Sequence, residues 1–334
     1  MAVSIKDVAL KAGVSTATVS HVLNGTRPAS QETRNRVLAV VQALGYSQNQ
    51  AARNLARGKS SFLGLIISDV RNPFFPEITA AFQDRALAHD MDALVLNTNY
   101  DPHSTLNSVS RLIGLQVPGV AILTSQIDPG IANILAERNI AAVYLDLGRV
   151  GPHISNLILE YEQGIIEGLE YLSSLGHRSV AYIGGPPHLP SAERRRRAFV
   201  ETATRLGIEA SHVVDSDFTA KGGYLAASHL LDSNVPTAIV TGNDLTAIGV
   251  LHCAYDRGIA VPDDMSVIGF DDIVFAEYTQ PALTTVTVPR REIGEMAFEA
   301  LWAMMSDPAC SGREFRISTK LTIRQSAGAP RTRT

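Results

Sequence analysis

Between Ser15 and Asn24 the chain reads Ser-Thr-Ala-Thr-Val-Ser-His-Val-Leu-Asn. Thr16, Ala17, Ser20 and His21 are small or hydrogen-bonding side chains, the types that fit against base edges in a duplex major groove. Ser15, Thr18 and Asn24 complete a candidate DNA-contacting set. A second set lies far downstream, each member just after a short apolar run: Ser68, Asp69, Asn72, Phe74 and Phe75, then Thr124 and Ser125, then Asp146. Arg195, Phe218, Asn243-Asp244 and Asp271-Asp272 continue the series. Arginine, asparagine and carboxylate groups can grip vicinal hydroxyls or a heterocycle edge through paired hydrogen bonds, while Phe74 and Phe218 offer faces to a sugar ring or a base.

The first set works only if a helix presents it. Ser15 is an N-cap type, and Val19, Val22 and Leu23 then share the opposite, apolar face. Upstream, Ile5 to Ala12 forms a second short helix, with Ser4 and Asp7 at capping-box spacing and Ile5, Val8 and Ala9 as its stripe. Ala12-Gly13-Val14-Ser15 joins them in a tight turn, which makes a helix-turn-helix. A third helix starts near Gln31 behind Ser30, buries Val37, Val40, Val41 and Leu44, and stops at Gly45. An ordinary helical hairpin shares this spacing, so charge has to separate the two readings. Residues 1–60 hold eight basic side chains against Asp7 and Glu32, a net +6, and the whole chain is −4, which leaves −10 for the remainder. A basic head on an acidic body is the electrostatic footprint of phosphate binding.

The second set needs a different scaffold. Short apolar runs (Phe62 to Ile67, Ala93 to Leu96, Val120 to Leu123, Ala142 to Leu145, Val180 to Ile183, His212 to Val214, Ala238 to Val240, Val267 to Phe270) alternate with helical periods such as Pro76 to His89 and Glu193 to Leu206. Strand followed by helix, repeated, predicts parallel sheets covered on both faces. Eight units and an interruption near residues 148–158, where Gly148, Gly151 and Pro152 cluster, predict two doubly wound lobes. Thr284 to Val286, a helix from Arg290 to Met305 and a strand near Leu321 to Ile323 would cross back between them, and several crossings make a hinge with few degrees of freedom. Ligands in such folds sit beyond the carboxyl ends of the strands, where the second set lies. Arg194 to Arg197 look like a nucleic-acid patch, but successive helical residues fan out by about 100°, so most of the run is expected to be solvated surface.

At this point the residues carry a family resemblance. Ile5-Lys6-Asp7-Val8-Ala9, Ala12-Gly13-Val14-Ser15 and Thr18-Val19-Ser20-His21-Val22-Leu23-Asn24 resemble, without gaps, the head of the lactose/galactose repressor (LacI/GalR) family of bacterial transcription regulators, most of all its purine and ribose repressor branch. The resemblance implies a head at 1–47 and a hinge helix in 48–60, ordered only when paired with its twin in the minor groove. Leu55 matches the wedging leucine and Ala52 the small residue of that helix, while Arg53 and Arg57 are suited to phosphates. It further implies a periplasmic-binding-protein-like core at 61–327 (one lobe 61–157 plus 290–318, the other 158–289 plus 319–327) and a tail at 328–334. Asp69, Phe74, Arg195, Phe218, Asn243 and Asp271 match effector-contact positions of the family; Phe75, Ser125 and Asp146 join them by their place after strands. Two departures stand out: Ala198 replaces a usual glycine, and Glu160-Tyr161 replaces a common Asp-Asn helix-capping pair.

The expectation is therefore a cytoplasmic, nucleoid-associated repressor that binds a palindromic double-stranded DNA operator as a homodimer or tetramer. Its effector is a small molecule, a monosaccharide or alternatively a purine or nucleoside, and no cofactor or metal is expected. An enzyme on a dinucleotide fold fits poorly, because no G-x-G-x-x-G follows the first strand and Gly58-Lys59-Ser60 has Arg53 where a phosphate loop needs glycine. A sugar-transport protein would need an export signal, and neither that nor a run of eighteen apolar residues is present. The two cysteines, Cys253 and Cys310, are too few for a disulfide framework and lack metal-ligand spacing.

Overall fold

The computed structural model describes residues 3–25, 27–46, 60–125, 127–233, 236–307 and 309–331. It divides into two compact units, Met1–Ser60 and Ser61–Thr334. The expected hinge helix, with Ala52, Arg53, Leu55 and Arg57, lies outside the described residues.

In the first unit, α1 (Ile5–Ala12) begins at a capping box in which Ser4 and Asp7 each satisfy the other's backbone N–H, and it ends at Gly13 in the left-handed region. Helix α2 (Thr16–Asn24) is capped by the Ser15 side chain, which accepts from the Thr18 N–H. Helix α3 (Gln31–Leu44) is capped by Ser30 and closed by Gly45. Val8, Ala9, Ala12, Val19, Val22 and Val37 form its buried centre, with Leu23, Val40, Val41 and Leu44 half-buried around it. The three helices thus meet through the apolar stripes expected of them, although only Val37 of the α3 stripe is fully enclosed.

The second unit contains two six-stranded sheets. The first comprises β1 (Phe62–Ile67), β2 (Asp92–Asn97), β3 (Gly119–Leu123), β4 (Ala141–Leu145), β5 (Ile154–Glu160) and β11 (Glu314–Ser318), in the order β11-β5-β4-β3-β1-β2. The second comprises β6 (Ser179–Ile183), β7 (Glu209–Val214), β8 (Ala238–Thr241), β9 (Ser266–Asp271), β10 (Thr284–Thr287) and β12 (Lys320–Thr322), in the order β12-β10-β9-β8-β6-β7. All neighbours are parallel except β10 and β12. Buried on both faces, the inner strands are near-continuous apolar runs, which is why they are legible in the sequence.

Helices cover both faces of each sheet: α4 (Phe74–Ala88) and α11 (Arg290–Ser306) against α5 (Pro102–Gly114) and α6 (Pro129–Ala136) in the first lobe. In the second lobe α7 (Tyr161–Ser174) and α8 (Pro190–Leu206) oppose α9 (Ala220–Ser233) and α10 (Asp244–Asp256). A Cβ on Gly294 would stand 2.3 Å from the Ile78 carbonyl oxygen, so α11 and α4 touch backbone to backbone only because this residue is glycine.

One expectation needs correcting, and two further features were not foreseen. The stretch read as an interruption contains β5, and Glu314–Ser318 forms β11, which pairs with it. Both were hidden because they sit among polar and Gly/Pro residues rather than in an uninterrupted apolar run. The tail is also partly docked: the Gly328 carbonyl accepts from buried His177, and Arg331 pairs with Asp263 and Asp264. The chain passes between the lobes at Glu160–Tyr161, at 288–289 and at Thr319. Thr319 Oγ1 donates to the Glu160 carbonyl at 2.8 Å and accepts from the Gly164 N–H at 3.0 Å, thereby tying two crossings together. It also satisfies a first-turn N–H of α7, whose N-cap Glu160 supplies no side-chain bond.

Candidate functional site

Between the carboxyl ends of the two sheets lies a cleft. It is lined from the first lobe by Ser68, Asn72, Phe74, Phe75, Tyr100 and Ser125, and from the second by Tyr161, Ser191, Arg195, Phe218, Asn243 and Asp271. Phe74, Phe75, Ser125, Arg195, Phe218, Asn243 and Asp271, nominated from scattered parts of the sequence, therefore meet in one cavity. Asp69 and Asp146 do not line it: the Asp69 carboxylate is held by Arg71 at 2.9 and 3.0 Å, and Asp146 faces Arg194 at 3.2 Å. Tyr100, Tyr161 and Ser191 were missed, because tyrosine or serine near a strand end carries no signal of its own.

Arg195 is the centre of the site. Its guanidinium lies 4.8–5.0 Å from the ring centroids of Tyr161, Phe218 and Phe270. Nε donates to the Ser191 carbonyl at 3.1 Å, Nη1 donates to the Gly242 carbonyl at 2.5 Å, and Asp271 Oδ1 stands 3.9 Å away. Two committed nitrogens and three aromatic faces fix the plane of the fork at the cavity wall. Burial pushes the Asp271 carboxyl up to about 7, against the opposing pull of Arg195 and Arg290. Here desolvation outweighs the nearby cations. Behind it Asp244, fully enclosed, accepts from the Thr285 hydroxyl at 2.5 Å and from the Ile273 N–H at 2.8 Å, which shapes the turn after β9.

Phe218 owes its place to glycine. A Cβ on Gly185 would stand 2.1 Å from its ring, and one on Gly242 3.1 Å, so the tip of the ring packs directly on the backbone at these two glycines. Asn243 has two tasks: its side chain accepts from the Thr246 N–H as the cap of α10 and donates to the Phe218 carbonyl at 3.0 Å. Tyr100 reaches from the first lobe to pack on Leu189, Ala192 and Phe218 of the second. Burial lifts its hydroxyl to about 12. Tyr100, Asp146, Phe218, Asp271 and Asp272 all have positive φ, at 60°, 58°, 63°, 112° and 56°. Non-glycine residues in that region persist only where their surroundings hold them, and such strain concentrates at ligand sites.

The arginine run is divided. Arg195 enters the cavity, Arg196 and Arg197 pair with Glu193 and Glu201 at the surface, and Arg194 is half-buried against Asp146 and Glu162 rather than solvated. The expectation of solvated surface is thus corrected for Arg194, whose direction depends on a lobe contact that the helical wheel does not contain.

In the first unit α2 turns Val19 and Val22 inward and leaves Ser15, Thr16 and Ala17 exposed, with Thr18, Ser20 and His21 half-buried. Asn24 ends the helix. The outward face is therefore small and polar, with the geometry of a recognition helix. Among the described residues no helix is long and apolar enough to cross a membrane, and no cluster of His, Cys, Asp and Glu could hold a metal ion.

The family model for bacterial regulatory proteins of the lacI family matches residues 4–49, and that for a periplasmic binding protein-like domain matches residues 169–327. The chain is 31% identical over 332 residues to Catabolite control protein A of Priestia megaterium, spanning 98% of this chain and 99% of that one. It is 34% identical over 317 residues to the HTH-type transcriptional repressor PurR of Erwinia tasmaniensis, with 93% and 92% covered. The crystal structure of the lac repressor dimer bound to operator and the anti-inducer ONPF matches with a TM-score of 0.86 at 28% identity, over 98% of this chain and 100% of that one. With a recognition helix at its head, a two-lobed cavity in its body and relatives of this kind along its full length, the chain belongs to the LacI family, as a transcriptional regulator whose hold on DNA is governed by a small-molecule effector, and it is not an enzyme.

Proposed function

We propose that this regulator is a homodimeric repressor of a palindromic operator and that its effector is a neutral monosaccharide bound in the cleft. The observation that carries the effector class is the pairing of Arg195 with Asp271 at 3.9 Å in an aromatic collar. Side by side they offer donors and acceptors at the spacing of vicinal hydroxyls, and Ser68, Asn72, Ser125, Ser191 and Asn243 supply further polar contacts around one ring. Phe74 and Phe218 cover its apolar faces. A planar purine or nucleoside is the second reading, favoured by these same two rings, one from each lobe.

The head reads the operator through Thr16, Ala17, Ser20 and His21, with Ser15, Thr18 and Asn24 at its margins; two heads on a two-fold dimer match two half-sites. The segment bearing Ala52, Arg53, Leu55 and Arg57 lies outside the described residues; its sequence is read as the expected hinge, which needs its twin on the operator to be helical. Effector binding changes lobe closure, which changes the spacing of the paired segments and so their ability to order on DNA. Thermal shift against D-ribose, D-galactose, D-glucose, hypoxanthine and cytidine tests the effector class. A sugar is expected to raise the melting temperature in a concentration-dependent way and Arg195→Ala to abolish the rise; a rise with hypoxanthine or cytidine alone replaces the sugar by the second reading. For the DNA, duplexes selected from a random pool should be symmetric and lose affinity steeply with salt; recovery of no preferred sequence would remove the operator.

A further inference from the structure

Tyr161 is walled by two guanidiniums: Arg195 Cζ and Arg194 Cζ each lie 4.9 Å from its ring centroid. The ring is buried and forms part of the cavity wall. The two arginines face different worlds. Arg195 lines the cavity, whereas Arg194 does not; Arg194 forms a fork with Glu162 at 2.8 and 2.8 Å, donates to the Leu159 carbonyl at 3.0 Å and meets Asp146 Oδ1 at 3.2 Å. That same Oδ1 accepts from the Leu159 N–H at 3.1 Å. Asp146 follows β4 of the first lobe, Arg194 and Glu162 belong to helices of the second, and Leu159 sits at the end of β5, one residue before the chain crosses. Asp146, Arg194 and Glu162 therefore clamp the lobes at the hinge, and none of the three lines the cleft.

From this geometry we infer that Tyr161 is a positioning residue that couples the occupied cavity to the hinge, its ring touching the ligand-facing arginine on one side and the hinge-clamping arginine on the other. Burial pushes the Asp146 carboxyl up, against the opposing pull of Arg194 and of the Tyr161 hydroxyl. The Asp146 backbone is held at φ 58°, so a loosened carboxylate contact would let this turn relax. A ligand that pulls on Arg195 shifts the ring, and the ring shift changes the seat of Arg194 and with it the closure of the lobes. The inference rests on the cleft being the effector site.

The test uses the full-length chain and three variants: Tyr161→Phe, which keeps the ring and removes the hydroxyl; Arg194→Met, which removes the clamp without entering the cavity; and the double variant. D-ribose, D-galactose, hypoxanthine and cytidine serve as probes, with binding read by calorimetry and operator affinity read by fluorescence anisotropy on a selected palindrome with and without each probe. The dissociation constant of a bound probe should change less than about threefold in Arg194→Met, which lies outside the cavity, and the coupling of each variant is read at saturating probe. The ratio of operator affinities with and without it should fall at least about fivefold, the lower edge of ordinary coupling. The double variant should lose no more than the worse single one, because the two act in one chain of contacts. Unchanged ratios in folded variants that still bind the probe would overturn the coupling, as would full additivity. If the unsubstituted protein binds no probe in the cleft, the effector reading fails first, a result distinct from both.

Discussion

Asp271→Asn is expected to stabilise the unliganded protein while destroying its response. The carboxyl is 6% exposed and pushed up to about 7 from 3.8. Its folded state thus holds a proton that the unfolded chain releases near pH 3.8. The stability this contributes is present below about pH 4 and is lost as the pH rises through about 7, since the unfolded state binds fewer protons over that window. Moving a carboxyl this far corresponds to about 4 kcal/mol of disfavoured ionisation, of which roughly 2–3 kcal/mol falls between pH 5 and pH 8. Asparagine mimics the protonated form and does not titrate, so the gap between variant and parent should widen by that amount across the same interval. For a chain of this size, roughly 2–4 °C per kcal/mol makes it about 5–10 °C in melting temperature. Calorimetric scans of both proteins at pH 5, 6, 7 and 8, without ligand, measure it. A constant or narrowing gap would refute the reasoning, because it would mean that Arg195 and Arg290 outweigh desolvation. The functional side has the opposite sign. An ionised carboxylate accepts hydroxyl bonds more strongly than its protonated form, so effector affinity in the parent should rise with pH up to about 7, by no more than about tenfold per pH step, and should fall at least about tenfold in the variant.

Gly185→Ala would place a methyl group 2.1 Å from the Phe218 ring; displacing that ring should weaken effector binding about tenfold or more with little change in folding, as calorimetry would show. Thr319→Val keeps the shape of a buried residue but deletes its bonds to Glu160 and Gly164, which should lower stability by about 1–3 kcal/mol in urea unfolding. His21→Ala should relax preference at one base pair of each half-site by about 1–3 kcal/mol; an identical selection profile from the variant would give His21 a backbone role instead.

The site was partly legible because its fold obeys a positional rule. Residues after parallel strands line the cleft, so Phe74, Phe218, Asn243 and Asp271 could be nominated from strand ends, with Arg195, which sits inside the following helix, added by the family resemblance. The same rule could not tell which rim residues turn inward. Asp69 folds back on Arg71 and Asp146 turns to Arg194, and both choices depend on partners remote from the strand end in question. Tyr100 and Tyr161 escaped notice for the converse reason: each reaches the cavity through a backbone turn or a lobe crossing, which local pattern does not reveal. The departure at Glu160-Tyr161 was visible, and its consequence was not.

Sequence alone determined the three-helix head, since caps, glycine stops and 3.6-residue stripes act within a few residues of one another. It also determined the number of lobes and their helix-clad sheets, because strands buried on both faces must be apolar throughout. Tertiary structure decided the rest: the pairing of β11 with β5, the docking of the tail on His177, the positive φ of Asp271 and the division of four neighbouring arginines between cavity, hinge and solvent. Those features are set by contacts between segments far apart along the chain, where the neighbours that fix a side chain's charge and direction are supplied by the fold.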